Sequence, residues 1–308
     1  MKIDEIKSKW SFGVGIFLVI ISALGFSAKS IFVKLAFQET PNPILILTLR
    51  MIFSIPFFIL GIFFQRMNLP KDKNLYFQIV LYGILGNYIA SIFDFYGLEY
   101  ISAGLERIIL FTYPTIVVVL SFIFLKKPLH KKEIISLFLT YGGIFSIFLG
   151  EGVLLDKKNI IGVIWVFLAA IAYSGFLIGS GNIIPKMGAV LYTSMAMTTA
   201  SVTVIFHYII VFPIQGLFNN SSRIYLLTFL MAIISTVIPV FLLSQGIKRI
   251  GSSKSAIVGS VGPVSTLVLG NIFLNEPIHI SEIFGTIVLI SGVLLVSTAK
   301  KEEGLEIK

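Results

Sequence analysis

Residues 114–133 read PTIVVVLSFIFLKKPLHKKE, and residues 263–282 read PVSTLVLGNIFLNEPIHISE. An offset of 149 residues, which is 263 minus 114, aligns two prolines, a Phe-Leu pair, a histidine and a glutamate without a gap. Shared hydrophobicity alone would not keep prolines and histidines in register. The chain therefore contains an internal repeat, and such self-similarity is a strong guide to the fold.

The repeat reaches beyond these two stretches. At the same offset Gly97 aligns with Gly246. Nearer the amino terminus, residues 24–27 (LGFS) match residues 171–174 (IAYS) more weakly. Two consecutive units are therefore expected. The predicted units are residues 1–151 and residues 152–308.

The composition excludes a soluble protein. Of 308 residues, 56% are hydrophobic and only 13% are charged, and the mean hydropathy is +0.96. Soluble chains contain about 45–50% apolar and about 25% charged residues, which excludes a soluble enzyme or a nucleic-acid-binding domain. Basic cytoplasmic loops explain the net charge of +9 without a nucleic acid partner. The absence of cysteine excludes disulfides, thiolate metal sites and cysteine nucleophiles.

A membrane-spanning helix needs about 20 mostly apolar residues. Ten such runs follow one another with short loops, which predicts an all-α integral membrane protein with ten transmembrane helices, named spans 1 to 10 here. The first run lacks a small-residue cleavage pattern, which favours a first span over a signal peptide. The predicted spans are residues 11–36, 43–64, 75–97, 103–125, 131–149, 160–182, 190–212, 223–247, 252–274 and 281–299.

Lysine and arginine predict the orientation, because cytoplasmic loops are enriched in them. With the amino terminus inside, only Lys157, Lys158 and Arg223 fall in outer loops. We therefore predict a multi-pass protein of the bacterial cytoplasmic (inner) membrane with both termini in the cytoplasm. The inner segments then hold Lys2, Lys7, Lys9, Arg66, Lys71, Lys73, Lys126, Lys127, Lys131, Lys132, Lys186, Lys248, Arg249, Lys254, Lys300, Lys301 and Lys308.

Each unit holds five spans, an odd number, so the second unit enters the membrane inverted relative to the first. Inverted repeats are typical of secondary transporters, in which two similar halves open a central site to each side in turn. Pro114 in span 4 and Pro263 in span 9 occupy matching positions, and each disturbs its helix by removing an N–H group. Interrupted helices at matching positions point to a binding site. The alternative is a structural kink.

Six charged residues lie in or near the outer halves of spans 1 to 4, although a charge in the bilayer costs at least about 2.5–3.5 kcal/mol. We expect them to form one network. Either its cations bind an anionic substrate group and a carboxylate carries a coupling proton, or Asp94 and Glu106 pair with Arg107 and a lysine to close an outer gate or fix the helices. The six are Lys29, Lys34, Arg50, Asp94, Glu106 and Arg107.

Helical spacing adds polar, small and aromatic candidates. Stripes on two spans consist of Gly83, Asn87, Ser91 and Asp94 on span 3, and of Ala256, Gly259, Pro263, Thr266 and Gly270 on span 9. No P-loop, H-E-x-x-H or G-x-S-x-G motif occurs, so we predict no catalytic residue, cofactor or metal, and no enzyme. The candidate substrate-binding or gate residues are Lys29, Arg50, Asn87, Asp94, Glu106, Arg107, Tyr113, Pro114, Ser235 and Pro263.

Several motifs together resemble a known family. Gly25 precedes Lys34 in span 1, and Pro43 precedes Arg50 in span 2. Each half then has a proline in its fourth span and a Leu-x-Glu-Pro-like turn, at residues 125–128 and 274–277. These features, with Glu106-Arg107 ahead of Pro114, resemble EamA-type permeases of the drug/metabolite transporter superfamily. Lys127 departs from the pattern, since the family often has glutamate there.

The resemblance covers nearly the whole chain and implies alternating access, with a cavity lined by spans 1, 3, 4, 6, 8 and 9. It implies a secondary-active transporter that exports or exchanges a small metabolite, such as an amino acid or related carboxylate. The alternatives are a multidrug exporter of lipophilic cations and a non-transport membrane protein, either a lipid-modifying enzyme or a scaffold. The expected partners are a small-molecule substrate, protons as coupling ion and the lipid bilayer, but no nucleic acid. Small-residue faces would permit a homodimer without requiring one.

Overall fold

The computed structural model describes residues 2–65, 72–126, 128–150, 156–250, 255 and 258–306, and side chains from residue 12 to residue 295 within these ranges, apart from residue 125. The predicted boundary between the two units lies outside the described residues. Ala256 of the predicted span 9 stripe lies outside them as well. The same is true of five basic residues used to predict the orientation: Arg66, Lys71, Lys127, Lys254 and Lys308.

The described residues form helices and no strand, which confirms the predicted all-α membrane fold. Spans 1 to 8 are each long and apolar enough to cross a membrane, and spans 9 and 10 contain shorter apolar helices. In chain order the helices are Lys2–Phe37, Pro43–Phe64, Lys73–Gly83 with Ala90–Tyr100, Ala103–Leu110 with Tyr113–Leu125, Lys131–Gly150, Lys157–Met187, Ala189–Val211, Ser222–Ala232 with Ile238–Ile250, Val261–Leu274 and Ile280–Glu306. A short 3-10 helix, Ile214–Leu217, links spans 7 and 8.

Local capping explains where several spans begin. The side chain of Asn42 accepts a hydrogen bond from the N–H of Leu45 ahead of span 2, whose first residue is a proline. Ser102 accepts from the N–H of Leu105 at 3.1 Å at the start of span 4. Such caps stabilise a helix start because its first N–H groups lack partners within the helix.

Spans 3 and 8 each contain a π-helical turn, at Ile84–Ile89 and Ile233–Val237. The two turns begin 149 residues apart, the offset of the sequence repeat. A π turn adds one residue to the helical turn and so rotates the residues that follow it, and such turns are frequent at functional sites. Gly83, which lies just ahead of the π turn in span 3, packs against the backbone of Ala196 on span 7. The π turn therefore separates Gly83 from the later residues of the predicted span 3 stripe.

The turns after spans 4 and 9 also match. Lys126 and Asn275, again 149 residues apart, have left-handed backbones with φ of 52° and 55°. The carboxylates of Glu133 and Glu282 then accept hydrogen bonds from the N–H groups of His130 and His279, each at 3.0 Å. The aligned glutamates therefore cap the starts of spans 5 and 10 in the same way.

The packing follows the repeat as well. Span 5 packs extensively against span 10 and span 2 against span 7, while span 1 packs against span 8 and span 3 against span 6. Gly97 lies against Val166 on span 6, and its counterpart Gly246 lies against Val19 on span 1. Small residues let these helices approach closely, as is usual in membrane proteins. The packing between spans is therefore repeated between the two halves of the bundle.

Candidate functional site

Spans 4 and 9 are both interrupted just ahead of their prolines. Span 4 stops at Leu110 and resumes at Tyr113. In span 9 the helical residues end at Gly259, Ser260 forms a turn, and the helix resumes at Val261. Pro114 and Pro263 thus lie in the first turn of the second segment, where a missing N–H group costs little. The breaks lie at matching positions of the repeat.

A serine from another span holds each break. Ser27 on span 1 donates a hydrogen bond to the carbonyl of Gly262 at 2.9 Å. Ser174 on span 6 donates to the carbonyl of Tyr113 at 3.1 Å. Both carbonyls belong to the residue before a repeat proline. The sequence analysis did not name these serines as site residues, although they align in the weak match of residues 24–27 with residues 171–174.

Lys29, Asp94 and Glu106 come together in the structure. The Lys29 ammonium lies 2.5 Å from Oδ2 of Asp94 and 3.2 Å from Oε1 of Glu106. Ser30 donates a hydrogen bond to Oε2 of Glu106 at 2.5 Å. Both carboxylates are buried, and Oδ1 of Asp94 has no hydrogen-bond partner in the described structure. We name Lys29, Asp94 and Glu106 the charge triad.

Arg50 is buried beside the charge triad without joining it. Its Nη2 atom donates to Oγ of Ser91 at 3.3 Å, and its guanidinium lies 5.0 Å from the centre of the Phe95 ring. The contact with Phe95 is a cation–π interaction, which compensates part of the cost of burying the charge. Arg50 therefore fixes span 2 against span 3.

Arg107 takes a different position from the one expected of a gate pair. Its guanidinium lies against Gly262 on span 9: a Cβ atom placed on Gly262 would stand 3.2 Å from Nη2 of Arg107 and 3.6 Å from Oγ of Ser27. Its buried Nε atom has no hydrogen-bond partner, and Arg107 forms no ion pair within the described part of the chain. Both carboxylates use Lys29 instead. The predicted single network is thus divided into the charge triad, Arg50 and Arg107.

A row of aromatic rings leads away from Arg107. Tyr113 contacts Tyr173 with ring centres 5.3 Å apart, and Tyr173 stacks on Phe176 at 5.8 Å. The charge of Arg107 acts on both tyrosines. Tyr113 and Tyr173 retain partial exposure although their neighbours Thr112 and Ser174 are fully buried. These rings therefore meet between spans 4 and 6 with part of their surface accessible.

Asn87 and Ser235, two other predicted site residues, lie within the matching π turns of spans 3 and 8. Nδ2 of Asn87 and Oγ of Ser235 are buried and have no hydrogen-bond partner in the described structure. A buried polar atom without a partner is costly, so the two groups are available to a ligand or to water. The sequence offered no signal for the π turns themselves.

Lys34 lies at the end of the bundle predicted to face outward, where the charges of Glu276 and Glu106 act on it although it forms no ion pair among the described residues. It borders a cavity of about 400 Å³ together with Glu99 and Glu276.

Both carboxylate oxygens of Glu276 accept the N–H of Ala103 at 3.1 Å, so Glu276 from the second half caps span 4 of the first. A second cavity of about 90 Å³ lies between Glu276 and Glu282. The sequence places Glu276 in the Leu-x-Glu-Pro-like turn at residues 274–277 but does not indicate this contact.

Within the described residues no group of three or more histidine, cysteine, aspartate or glutamate side chains could hold a metal ion. The positioned polar groups are instead one free guanidinium, a lysine shared by two carboxylates, two π-turn side chains and a row of aromatic rings. Such a set can bind and release a small polar molecule by charge and hydrogen bonding.

Comparison with known proteins gives concordant results. The family described as the EamA-like transporter family matches residues 13–149 and 160–298. "Uncharacterized transporter YcbK" of Bacillus subtilis is 27% identical and the match covers 99% of this chain and 98% of the relative. An "Uncharacterized transporter" of Archaeoglobus fulgidus is 25% identical, over 83% of this chain and 88% of the relative. A solved structure titled "Crystal structure of protein" shares the fold, with a TM-score of 0.63 at 14% identity over 92% of this chain and 97% of that chain.

Proposed function

Since the chain belongs to the EamA-like transporter family and is a membrane transport protein, we propose that it is a secondary-active carrier of a small metabolite carboxylate, such as an amino acid. The carrier works by alternating access and exports or exchanges its substrate, and it has no enzymatic activity. It resides in the cytoplasmic membrane with both termini inside, and each of its two units, residues 1–151 and residues 152–308, forms one half of the mechanism.

The observation that carries this proposal is the state of Arg107. A guanidinium inside a membrane bundle is costly unless an anion or carbonyl accepts its hydrogen bonds. Arg107 lies beside the break of span 9 with a buried Nε atom that lacks an acceptor. A carboxylate placed there would form charge-assisted hydrogen bonds, which are about twice as strong as neutral ones. A carboxylate-bearing substrate therefore completes this site.

The surroundings of Arg107 favour a compact substrate with an apolar or aromatic part. Tyr113 and Tyr173 offer ring faces and edges close to the guanidinium. Ser27 adds a hydroxyl at the same break. The arrangement suits a molecule that carries a carboxylate at one end and contacts the rings with the other, as an amino acid does.

The paired breaks support the alternating-access part of the proposal. Ser27 ties span 1 to span 9, and Ser174 ties span 6 to span 4, through equivalent hydrogen bonds. Each tie links one repeat to the other at the centre of the bundle. Two equivalent contacts of this kind can be exchanged when the halves rock against each other.

The test is flux into proteoliposomes containing the purified full chain, with and without a pH gradient. A labelled panel of amino acids, organic acids, a sugar phosphate and one lipophilic cation is compared for wild type, Arg107→Ala and Arg223→Ala. Arg223 is the matched control, because it is an exposed arginine in the first turn of span 8, at the surface of the bundle. We expect flux of at least one carboxylate in wild type and in Arg223→Ala, and its loss in Arg107→Ala.

Three results would overturn the proposal. Undiminished carboxylate flux in Arg107→Ala would remove this residue from the mechanism. Flux of the lipophilic cation alone would favour the multidrug exporter, and absence of all flux from folded protein would favour a lipid-modifying enzyme or a scaffold.

A further inference from the structure

We propose that the charge triad is a proton-binding site, in which one exchangeable proton is held by Asp94 against Glu106 with Lys29 as their common counter-ion. The site itself is independent of which molecule is transported. Its role as the coupling site of a proton-linked carrier rests on the proposed function.

The first argument is the local charge. Two buried carboxylates share one ammonium group in direct contact, so the ionised triad carries one net negative charge. A net charge in a poorly hydrated interior is costly. One added proton makes the triad neutral. The proton comes from water and returns to water, and the charge of the triad changes between −1 and 0.

The second argument is the unsatisfied oxygen of Asp94. Glu106 uses both of its oxygens, one with Lys29 and one with Ser30. Asp94 is 4% exposed, and its Oδ1 atom has no partner. The two carboxyl groups lie close together, because both contact the same ammonium of Lys29. A proton on Asp94 can therefore be shared with Glu106, as in other carboxyl pairs that cannot both ionise.

No charged group on the neighbouring spans neutralises the net negative charge of the charge triad through a direct ion pair in the described structure. Arg50 on span 2 is held by Ser91 and Phe95, although its charge acts on Asp94. Arg107 acts on Glu106 but lies against span 9. Span 6 packs on this part of span 3 through Gly162 and Val166 around Gly97, and its lysines are exposed at its two ends: Lys157, Lys158 and Lys186.

Protonation of Asp94 would change the contact between spans 1 and 3. The ion pair between Lys29 and Asp94 joins these spans. With Asp94 neutral, Lys29 keeps a full ion pair only with Glu106, and span 1 is held less firmly to span 3. The Lys29 side chain is 12% exposed, which gives the triad a route for proton exchange.

Trp165 provides a direct optical probe of the site. Its ring lies 5.2 Å from that of Phe93 and 5.6 Å from that of Tyr96, which stand one residue before and two residues after Asp94 on span 3. The chain has two tryptophans, so Trp10→Phe leaves Trp165 as the single tryptophan, whose emission is excited selectively over that of tyrosine. Its fluorescence is titrated in substrate-free protein in lipid nanodiscs between about pH 4 and pH 9, the range in which exposed and buried carboxyls titrate.

We expect one reversible fluorescence transition in the Trp10→Phe protein. Asp94→Asn should abolish it. In Glu106→Gln, Lys29 has only the carboxylate of Asp94 to neutralise. The midpoint of the transition should therefore shift by about one pH unit or more, or the transition should disappear. Asp156→Asn is the matched control, because Asp156 is an exposed helix cap at the start of the span that carries Trp165, and asparagine is an equally good cap. The control should retain the transition unchanged.

The proposal is overturned if the parent protein shows no transition, or if Asp94→Asn keeps it with the same midpoint and amplitude. Size-exclusion profiles establish that each variant is folded before it is titrated. Because no substrate is present, this result does not depend on the flux assay. A clear transition without carboxylate flux would reject the proposed function and keep the proton site, whereas carboxylate flux without a transition would do the reverse.

Discussion

The ammonium group of Lys29 lies 2.5 Å from the carboxylate of Asp94 and joins span 1 to span 3 across 65 residues of sequence. The same ammonium contacts Glu106 at the start of span 4. One side chain therefore connects three spans of the first repeat. Arg107, the neighbour of Glu106, lies against span 9 of the second repeat instead. Glu106 therefore contacts a residue of the first repeat, whereas its neighbour Arg107 contacts the second repeat.

The first prediction concerns the removal of Lys29. Lys29→Met should lower the free energy of unfolding by about 3–5 kcal/mol, because it leaves two buried carboxylates without their counter-ion. The change would be measured as the thermal transition of the detergent-solubilised protein. Adding Asp94→Asn should recover part of the loss, since only one carboxylate then remains.

Lys158→Met serves as the control for Lys29→Met, because Lys158 is exposed at the start of span 6. Its effect on stability should be within about 0.5 kcal/mol, as for most surface substitutions. Equal stability of Lys29→Met and Lys158→Met would show that the ion pairs of Lys29 contribute nothing.

The second prediction uses Gly262. A Cβ atom at this position would lie 3.2 Å from Nη2 of Arg107, so Gly262→Ala should push the guanidinium from its place. Carboxylate flux should fall several-fold. The protein should remain folded, because alanine has a higher helix propensity than glycine. Initial rates in proteoliposomes at several substrate concentrations measure the effect.

Gly259 offers a matched control for Gly262. A Cβ atom at Gly259 would have no described neighbour within 4 Å, although both residues adjoin the same helix break. Gly259→Ala should therefore leave the flux close to that of wild type. If both substitutions lowered the flux equally, the effect would come from the backbone of the break and not from Arg107.

The third prediction concerns orientation and exploits the absence of cysteine from the chain. A cysteine at Lys158 should react with a membrane-impermeant maleimide in intact cells, because the start of span 6 is predicted to face outward. A cysteine at Lys248 should react only after permeabilisation, because the end of span 8 is predicted to be cytoplasmic. The reversed labelling pattern would reject the predicted orientation, and neither site depends on transport activity.

Much of the fold could be predicted from the sequence, because a membrane restricts the secondary structure that can span it to apolar helices of sufficient length. Span 2 was predicted at residues 43–64 and occupies Pro43–Phe64. The aligned prolines indicated the interruptions of spans 4 and 9. The π turns were missed, because an additional residue in a helical turn leaves no mark on an apolar sequence pattern.

The contacts of the candidate site were harder to predict from the sequence than the fold. Sequence spacing placed Asp94, Glu106 and Arg107 at one depth but could not select between Lys29 and Arg107 as the partner of the carboxylates. The contacts of Ser27 and Glu276 were missed for the same reason, since each joins residues from opposite repeats. The match of residues 24–27 with residues 171–174 pointed to Ser27, and the Leu-x-Glu-Pro-like turn at residues 274–277 pointed to Glu276, but neither pattern indicated the partner of the residue.

The sequence by itself determined the number of spans, the internal repeat and the positions of the two breaks, because these follow from hydrophobic length, proline chemistry and self-similarity. Only the tertiary structure decided which charges are neutralised and which remain available. Lys29 and Arg107 have similar charge and similar predicted depth, yet one contacts two carboxylates and the other none in the described structure. That difference depends on the rotation of each helix about its axis, and packing against neighbouring spans sets this rotation.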